Sequence, residues 1–226
     1  MSTTMLMAPR AAPQARVARP APDEAPRRIG VLGGTFDPPH VGHLWLAALA
    51  ADGLDLDRVL FMPAAQPPHK GERVISKGTD RLLMTRLAIH TDPTFELCAL
   101  EMERPGPSYT IDSVAELKRL YPEARLFLVM AADSLAQIDT WREPGRLLEE
   151  VEWAVGPRAG SSLPDRSGLE DRFGEGASRI HLLQGPALDV SSSEIRRRVA
   201  AGHTIRYLVP REVEELIIER ELYRRG

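Results

Sequence analysis

Apolar residues gather in six short runs along the chain: "RIGVLGG" (28–34), "RVLFMPA" (58–64), "FELCALE" (95–101), "RLFLVMA" (125–131), "VEWAVG" (151–156) and "RIHLLQ" (179–184). Several lack any alternation of apolar and polar positions, as a strand covered on both faces of a parallel sheet requires. The stretches between them, at about 42–53, 79–91, 111–120 and 145–150, carry helical patterns. Strand and helix patterns that alternate in this way predict βαβ units, and so an α/β fold with a doubly wound parallel sheet. After the last strand pattern come "SSSEIRRRVAAG" and "PREVEELIIERELY". Serine ahead of Glu194 in the first, and Pro210 followed by acids in the second, are helix-start signals. A helical C-terminal part from about residue 191 is therefore expected.

Two segments fall outside that rhythm. The stretch 157–178, "PRAGSSLPDRSGLEDRFGEGAS", is rich in glycine, serine and charge and reads as a mobile surface loop. The Ala, Pro and Arg-rich opening has no apolar periodicity, which predicts a disordered extension over 1–26 and one domain over 27–226.

Charge narrows the partners. Residues 1–28 carry five arginines against Asp23 and Glu24, so the remainder of a chain of net charge -3 carries -6. That balance offers no general attraction to nucleic acid, and no nucleic-acid partner is expected. No apolar run approaches the roughly 20 residues of a membrane span, and the opening lacks the apolar stretch of a secretory signal. A cytoplasmic protein without a membrane partner is the expectation. Cys98, the single cysteine, cannot form an internal disulfide and reads as a buried thiol rather than a nucleophile.

The candidate chemistry starts at "GGTFDPPHVGHLWLA" (33–47). It follows the first strand pattern and opens a helix, where ligands of open α/β sheets sit. Gly33 and Gly34 allow a ligand to approach the backbone closely, and the free N–H groups of a helix start favour an anion. The stretch is neither a Walker A loop nor a GxGxxG fingerprint. His40 and His43, three apart, can face one point. A metal pair lacks the third local ligand zinc usually needs, and simple packing with Asp37 capping the turn is the bland alternative. Phosphate is the stronger reading, since imidazole N–H groups donate to phosphate oxygens.

"GTFDPPHVGH" resembles the HxGH signature of the nucleotidylyltransferase superfamily, whose Rossmann-like fold and histidine motif are shared with class I aminoacyl-tRNA synthetases. "VSSSEIRRR" (190–198) is similar to that superfamily's second signature, ISSTxIR. By itself this peptide is a serine N-cap followed by a solvated basic face. Beside the first motif, Ser192 and Ser193 at a helix start and Arg196 one turn on become donors to the same anion. Pantetheine-phosphate adenylyltransferases usually have threonine at the first histidine and are shorter, and glycerol-phosphate cytidylyltransferases are shorter still. Instead "FMPAAQPPHK" (61–70), "ERPGPSYTIDSV" (103–114), "MAADSLAQIDTWREPGRLL" (130–148) and "YLVPREVEELIIERELY" (207–223) match bacterial nicotinate-mononucleotide adenylyltransferases.

That resemblance implies ATP and nicotinate mononucleotide as substrates, Mg²⁺ carried with ATP, and no metal ligands from the protein. It puts Gly33, Gly34, Thr35 and Phe36 along the bound nucleotides, and His40, His43, Ser192, Ser193 and Arg196 on the ATP phosphates. Catalysis would rest on His40, His43 and Arg196. Lys70 corresponds to a basic residue near the phosphates, although a solvated lysine fits the position nearly as well. Tyr109 and Thr110 fall where the nicotinate carboxylate is bound through backbone N–H groups, and Trp141 where a tryptophan stacks on the pyridine ring. Asp133 matches the acid of a GxD pattern on the adenosine side, but Ala131 replaces its glycine. Rival readings are another phosphate acceptor, such as nicotinamide mononucleotide, and a nucleotide-sensing module without chemistry. Oligomeric state is not legible.

Overall fold

In chain order, residues 26–66 and 76–224, those the computed structural model describes, form β1 Arg28–Gly34, α1 Val41–Gly53, β2 Arg58–Pro63, α2 Gly78–Ile89 and β3 Phe95–Leu97. There follow α3 Leu100–Glu103, α4 Thr110–Leu120, β4 Arg125–Ala131, α5 Ala132–Ala136, α6 Pro144–Glu150 and β5 Glu152–Gly156. The chain then runs through α7 Arg166–Phe173, β6 Ile180–Leu182, α8 Ser192–Ala200 and α9 Arg211–Glu219. The strands pair in the order β3-β2-β1-β4-β5-β6, and every pairing is parallel. The order reverses between β1 and β4, as the doubly wound expectation requires.

Alternation along the strands sends successive side chains to opposite faces. On one face Ile29, Val31, Leu126, Leu128 and Met130 pack against Ile111, Val114 and Leu117 of α4. On the other, Leu32, Phe127 and Val129 meet Ala47 and Ala50 of α1, Met84 of α2, and Val213 and Ile217 of α9. Because both faces are covered, the central runs need no polar alternation. Among the described residues no helix is long and apolar enough to cross a membrane.

Two expectations are corrected. The stretch 157–178 is not a plain loop: it holds α7 and a 3₁₀ turn, Gly174–Arg179. Asp165 caps α7 by accepting the Gly168 N–H at 2.8 Å, and Leu169 pins the helix to the core at 1% exposure. The strand pattern 95–101 ends at Leu97, where Cys98 donates its N–H to Phe61 O, and the chain turns into α3. Cys98 is fully buried, and burial pushes its thiol up to about 12, so it is inert at neutral pH. The extension expected over 1–26 lies, except for residue 26, outside the described residues, as does Lys70.

Candidate active site

The carboxyl ends of β1 and β4 flank one cleft of about 570 Å³. Gly33, Gly34 and Thr35 form its β1 edge. A Cβ at Gly33 would meet nothing within 4 Å, whereas one at Gly34 would stand 3.1 Å from the Phe36 ring. Gly33 thus keeps the cleft edge open, and Gly34 makes room for the fold's own packing. Phe36 does not line the cleft. It is 1% exposed, with φ of 49°, and its ring meets the His43 ring edge-on at 4.9 Å. Its place is beneath His43.

His40 is the residue before α1, and His43 lies in the first turn. The His40 N–H donates to His43 Nδ1 at 3.2 Å, and the two rings stack with centroids 3.7 Å apart. A ring nitrogen that accepts carries no proton, so the His43 proton sits on Nε2 and that atom is a donor. His40 is 4% exposed, and burial, with the positive charge of Arg158 second, holds its imidazole down at about 4. It is neutral at pH 7. The glycine of HxGH has a steric reason, since a Cβ on Gly42 would lie 3.0 Å from His40 Nδ1.

The second signature closes against the first. Ser191 is the α8 cap, accepting the Glu194 N–H at 3.2 Å. Ser192 turns its hydroxyl onto Pro38 O at 2.8 Å, and Arg196 donates to Asp37 O at 2.6 Å and to Ser193 Oγ at 3.1 Å. Ser191, Ser192, Ser193 and Arg196 all line the cleft. Arg158, which sequence reasoning passed over, lines it too; it donates to Val190 O and stands 3.8 Å from Asp133. Its signal was its position, just past the carboxyl end of β5. Ala131, standing for the GxD glycine, has φ of -89° and ψ of 161°, an extended conformation open to any residue. The replacement changes space, not backbone strain.

The same cleft is lined by Tyr109, which precedes α4, and by Thr110, Trp141 and Arg142. The Arg142 guanidinium lies 4.7 Å from the Tyr109 ring, and the Trp141 ring is backed by buried Trp153 at 6.5 Å. Glu101 and Ser108 lie in the same wall. The structure thus brings together every sequence-derived candidate except Phe36, which is buried behind the site, and Lys70.

Residues 31–198 match the family model described as Cytidylyltransferase-like. A relative from Thermomicrobium roseum, described as a probable nicotinate-nucleotide adenylyltransferase, is 44% identical over 197 residues, covering 87% of this chain and 92% of its own. The chain belongs to the nicotinate-nucleotide adenylyltransferase family. A family relative from Thermus thermophilus is 43% identical over 197 residues, 87% of this chain and all of its own. Among solved structures, the nicotinic acid mononucleotide adenylyltransferase of Plasmodium falciparum complexed with NaAD superposes with a TM-score of 0.72. It covers 87% of this chain and 97% of its own at 17% identity, a likeness that speaks for the fold.

Proposed function

We propose that the protein transfers the adenylyl group of ATP to nicotinate mononucleotide, forming deamido-NAD and pyrophosphate in NAD biosynthesis. The observation that carries this reading is one cleft lined both by His40, His43 and Arg196 and by Tyr109, Thr110 and Trp141. Such a cleft lets two nucleotides meet phosphate to phosphate.

In this reading a 5′-phosphate oxygen of nicotinate mononucleotide attacks the α-phosphorus of ATP as the bond to pyrophosphate breaks. The attacking phosphate is already an anionic nucleophile, so no protein nucleophile is required. The protein aligns two anions and offsets the charge growing on the leaving group. His43 Nε2 and the His40 ring act as neutral N–H donors to phosphate oxygens. The positive charge comes from Arg196 and Arg158, with Ser193 and the N–H groups of the α8 start beside them.

Gly33, Gly34 and Thr35 border the ATP phosphates and Asp133 the adenosine. Backbone N–H groups at Tyr109 and Thr110 receive the nicotinate carboxylate, and Trp141 stacks on the pyridine ring. ATP enters as its magnesium complex. Besides imidazole, hydroxyl and guanidinium groups, the cleft is lined by the Asp133 and Glu101 carboxyls. The ion would come with ATP and would offset phosphate charge.

Pyrophosphate release measured with ATP and a panel of mononucleotides tests the reading. The highest kcat/KM is expected with nicotinate mononucleotide. A higher value with the nicotinamide form would reassign the acceptor, and ATP binding without pyrophosphate release from any acceptor would remove the reaction.

A further inference from the structure

Glu101 is a buried carboxyl for which the reaction above has no use. It is 5% exposed, belongs to α3, and borders the cleft beside Ser108, Tyr109 and Thr110. The Ser113 hydroxyl donates to Glu101 Oε1 at 2.6 Å, and the Ser108 hydroxyl is its other hydrogen-bond partner. Burial raises the carboxyl above its usual range, and these two hydroxyls oppose that shift.

Both hydroxyls are already committed as acceptors. Ser108 Oγ accepts the N–H of Ala65 at 3.0 Å and of Gln66 at 3.4 Å, while the Ser108 N–H donates to Gln66 O at 3.1 Å. Ser113 Oγ accepts from Arg104 at 3.1 Å. Ser108 Oγ, with two donors on it, therefore has only its proton to give, while Ser113 Oγ keeps one lone pair and its hydroxyl also reaches Tyr109 O at 3.4 Å. A carboxylate can receive both protons at once, one on each oxygen. Through Ser108 the carboxyl holds the segment after β2. Through Ser113, in the first turn of α4, it holds the helix start that carries Tyr109 and Thr110.

We propose that Glu101 is a positioning residue for the acceptor nucleotide: by receiving both hydroxyls it sets how the start of α4, which brings Tyr109 and Thr110 to the cleft, sits against Ala65–Gln66. The inference rests on the reaction proposed above. It separates the substrates, because Glu101 bonds to Ser113 of α4 and to Ser108 ahead of that helix, whereas the residues assigned to the ATP phosphates come from β1, α1 and α8.

The test is steady-state kinetics, varying each substrate, on Glu101→Ala, Ser108→Ala and the double variant, with thermal unfolding measured alongside. Both single variants are expected to raise KM for nicotinate mononucleotide about ten-fold, the size of one lost buried hydrogen bond. KM for ATP and kcat should stay within about two-fold of wild type. The double variant should fall short of the product of the singles, since both changes break the Ser108–Glu101 link. An unchanged KM for nicotinate mononucleotide in the folded variants overturns the proposal, as does an equal rise in KM for ATP or a double effect that is the product of the singles. If the wild-type enzyme forms no deamido dinucleotide, the proposed reaction fails and this inference with it.

Discussion

The neutral His40 makes the fold acid-sensitive in a window that can be calculated. In the unfolded chain its imidazole titrates at about 6.5, and in the native protein burial and Arg158 bring it down to about 4. Between those values the unfolded state binds the extra proton and the native state does not, so stability falls as pH drops through this window and levels off below the native value. For one group with these two pKa values, the loss from pH 7 to pH 5 is about 2 kcal/mol, and the full loss below pH 4 is about 3 kcal/mol. At 4% exposure, solvent screening takes little from this figure. Other groups add their own acid dependence, Glu152 among them, whose carboxyl burial would raise but His181 and Arg125 hold below its usual range. The contribution of His40 is therefore read as a difference. Urea unfolding of the wild type and of His40→Asn at pH 7, 6 and 5 gives ΔG at each pH, with m-values compared to confirm a common transition. The wild type should lose about 2 kcal/mol more than the variant between pH 7 and 5. Parallel curves would show that His40 is as easily protonated in the native protein as in the unfolded chain, and its role as a neutral donor would fall with that result.

Three other outcomes follow from the same geometry. His40→Ala and His43→Ala should each lower turnover by about two orders of magnitude or more while the protein stays folded, the scale of removing one preorganised donor to a charged transition state; pyrophosphate release on the purified variants checks this, and near-normal turnover in a folded double variant would sink the assignment. Arg81, at 2% exposure, donates to the carbonyls of Ser76, Thr35, Ala64 and Ala65. Arg81→Met keeps much of the volume but strands those oxygens, so a loss of about 3–5 kcal/mol in denaturant unfolding is expected, and a loss under about 1 kcal/mol would contradict it. Gly42→Ala should leave the melting temperature unchanged or raised, since alanine favours α1 by up to about 1 kcal/mol, yet lower kcat by pushing the His40 ring, which the new Cβ approaches at 3.0 Å. Equal changes in both measurements would mean that the ring moves freely.

What the sequence disclosed and what it hid divide along physical lines. β1, β2, β4 and β5 were legible because both of their faces are buried, which leaves unbroken apolar runs such as Leu126–Met130. α7 was hidden because it fully buries only Leu169, with Phe173 partly covered, so its pattern is close to that of a solvated loop; its Asp165 cap was the one visible signal. Glu101 passed for the end of a strand, since nothing in "FELCALE" marks the turn after Cys98. At the site, residue types were legible and directions were not. Phe36 stands inside the motif yet faces the core. Ser192 has the hydroxyl expected of a phosphate donor, but it is engaged with Pro38. Hydroxyl direction is set by partners far away in sequence, and no local pattern encodes it.

Those distant partners also change what the second signature is for. Ser192 and Arg196 reach the Pro38 and Asp37 carbonyls, and the Asp37 carboxyl, itself 1% exposed, accepts from the Ser76 N–H at 3.2 Å and from the Tyr223 hydroxyl at 2.6 Å. Val41 at the start of α1 donates to Leu208 O. The loop that carries His40 is thus held by α8, by the residues before α2 and by the C-terminal segment. In the proposed reaction a neutral histidine pair would supply direction but no charge, and its contribution would depend on fixed geometry, because a donor that must reorient during the reaction loses most of its advantage. The basic residues follow the opposite logic. Arg196 both braces the loop and brings charge to the cleft, so its removal would cost alignment as well as electrostatics, and the two signatures act as one structural unit rather than as two separate phosphate contacts.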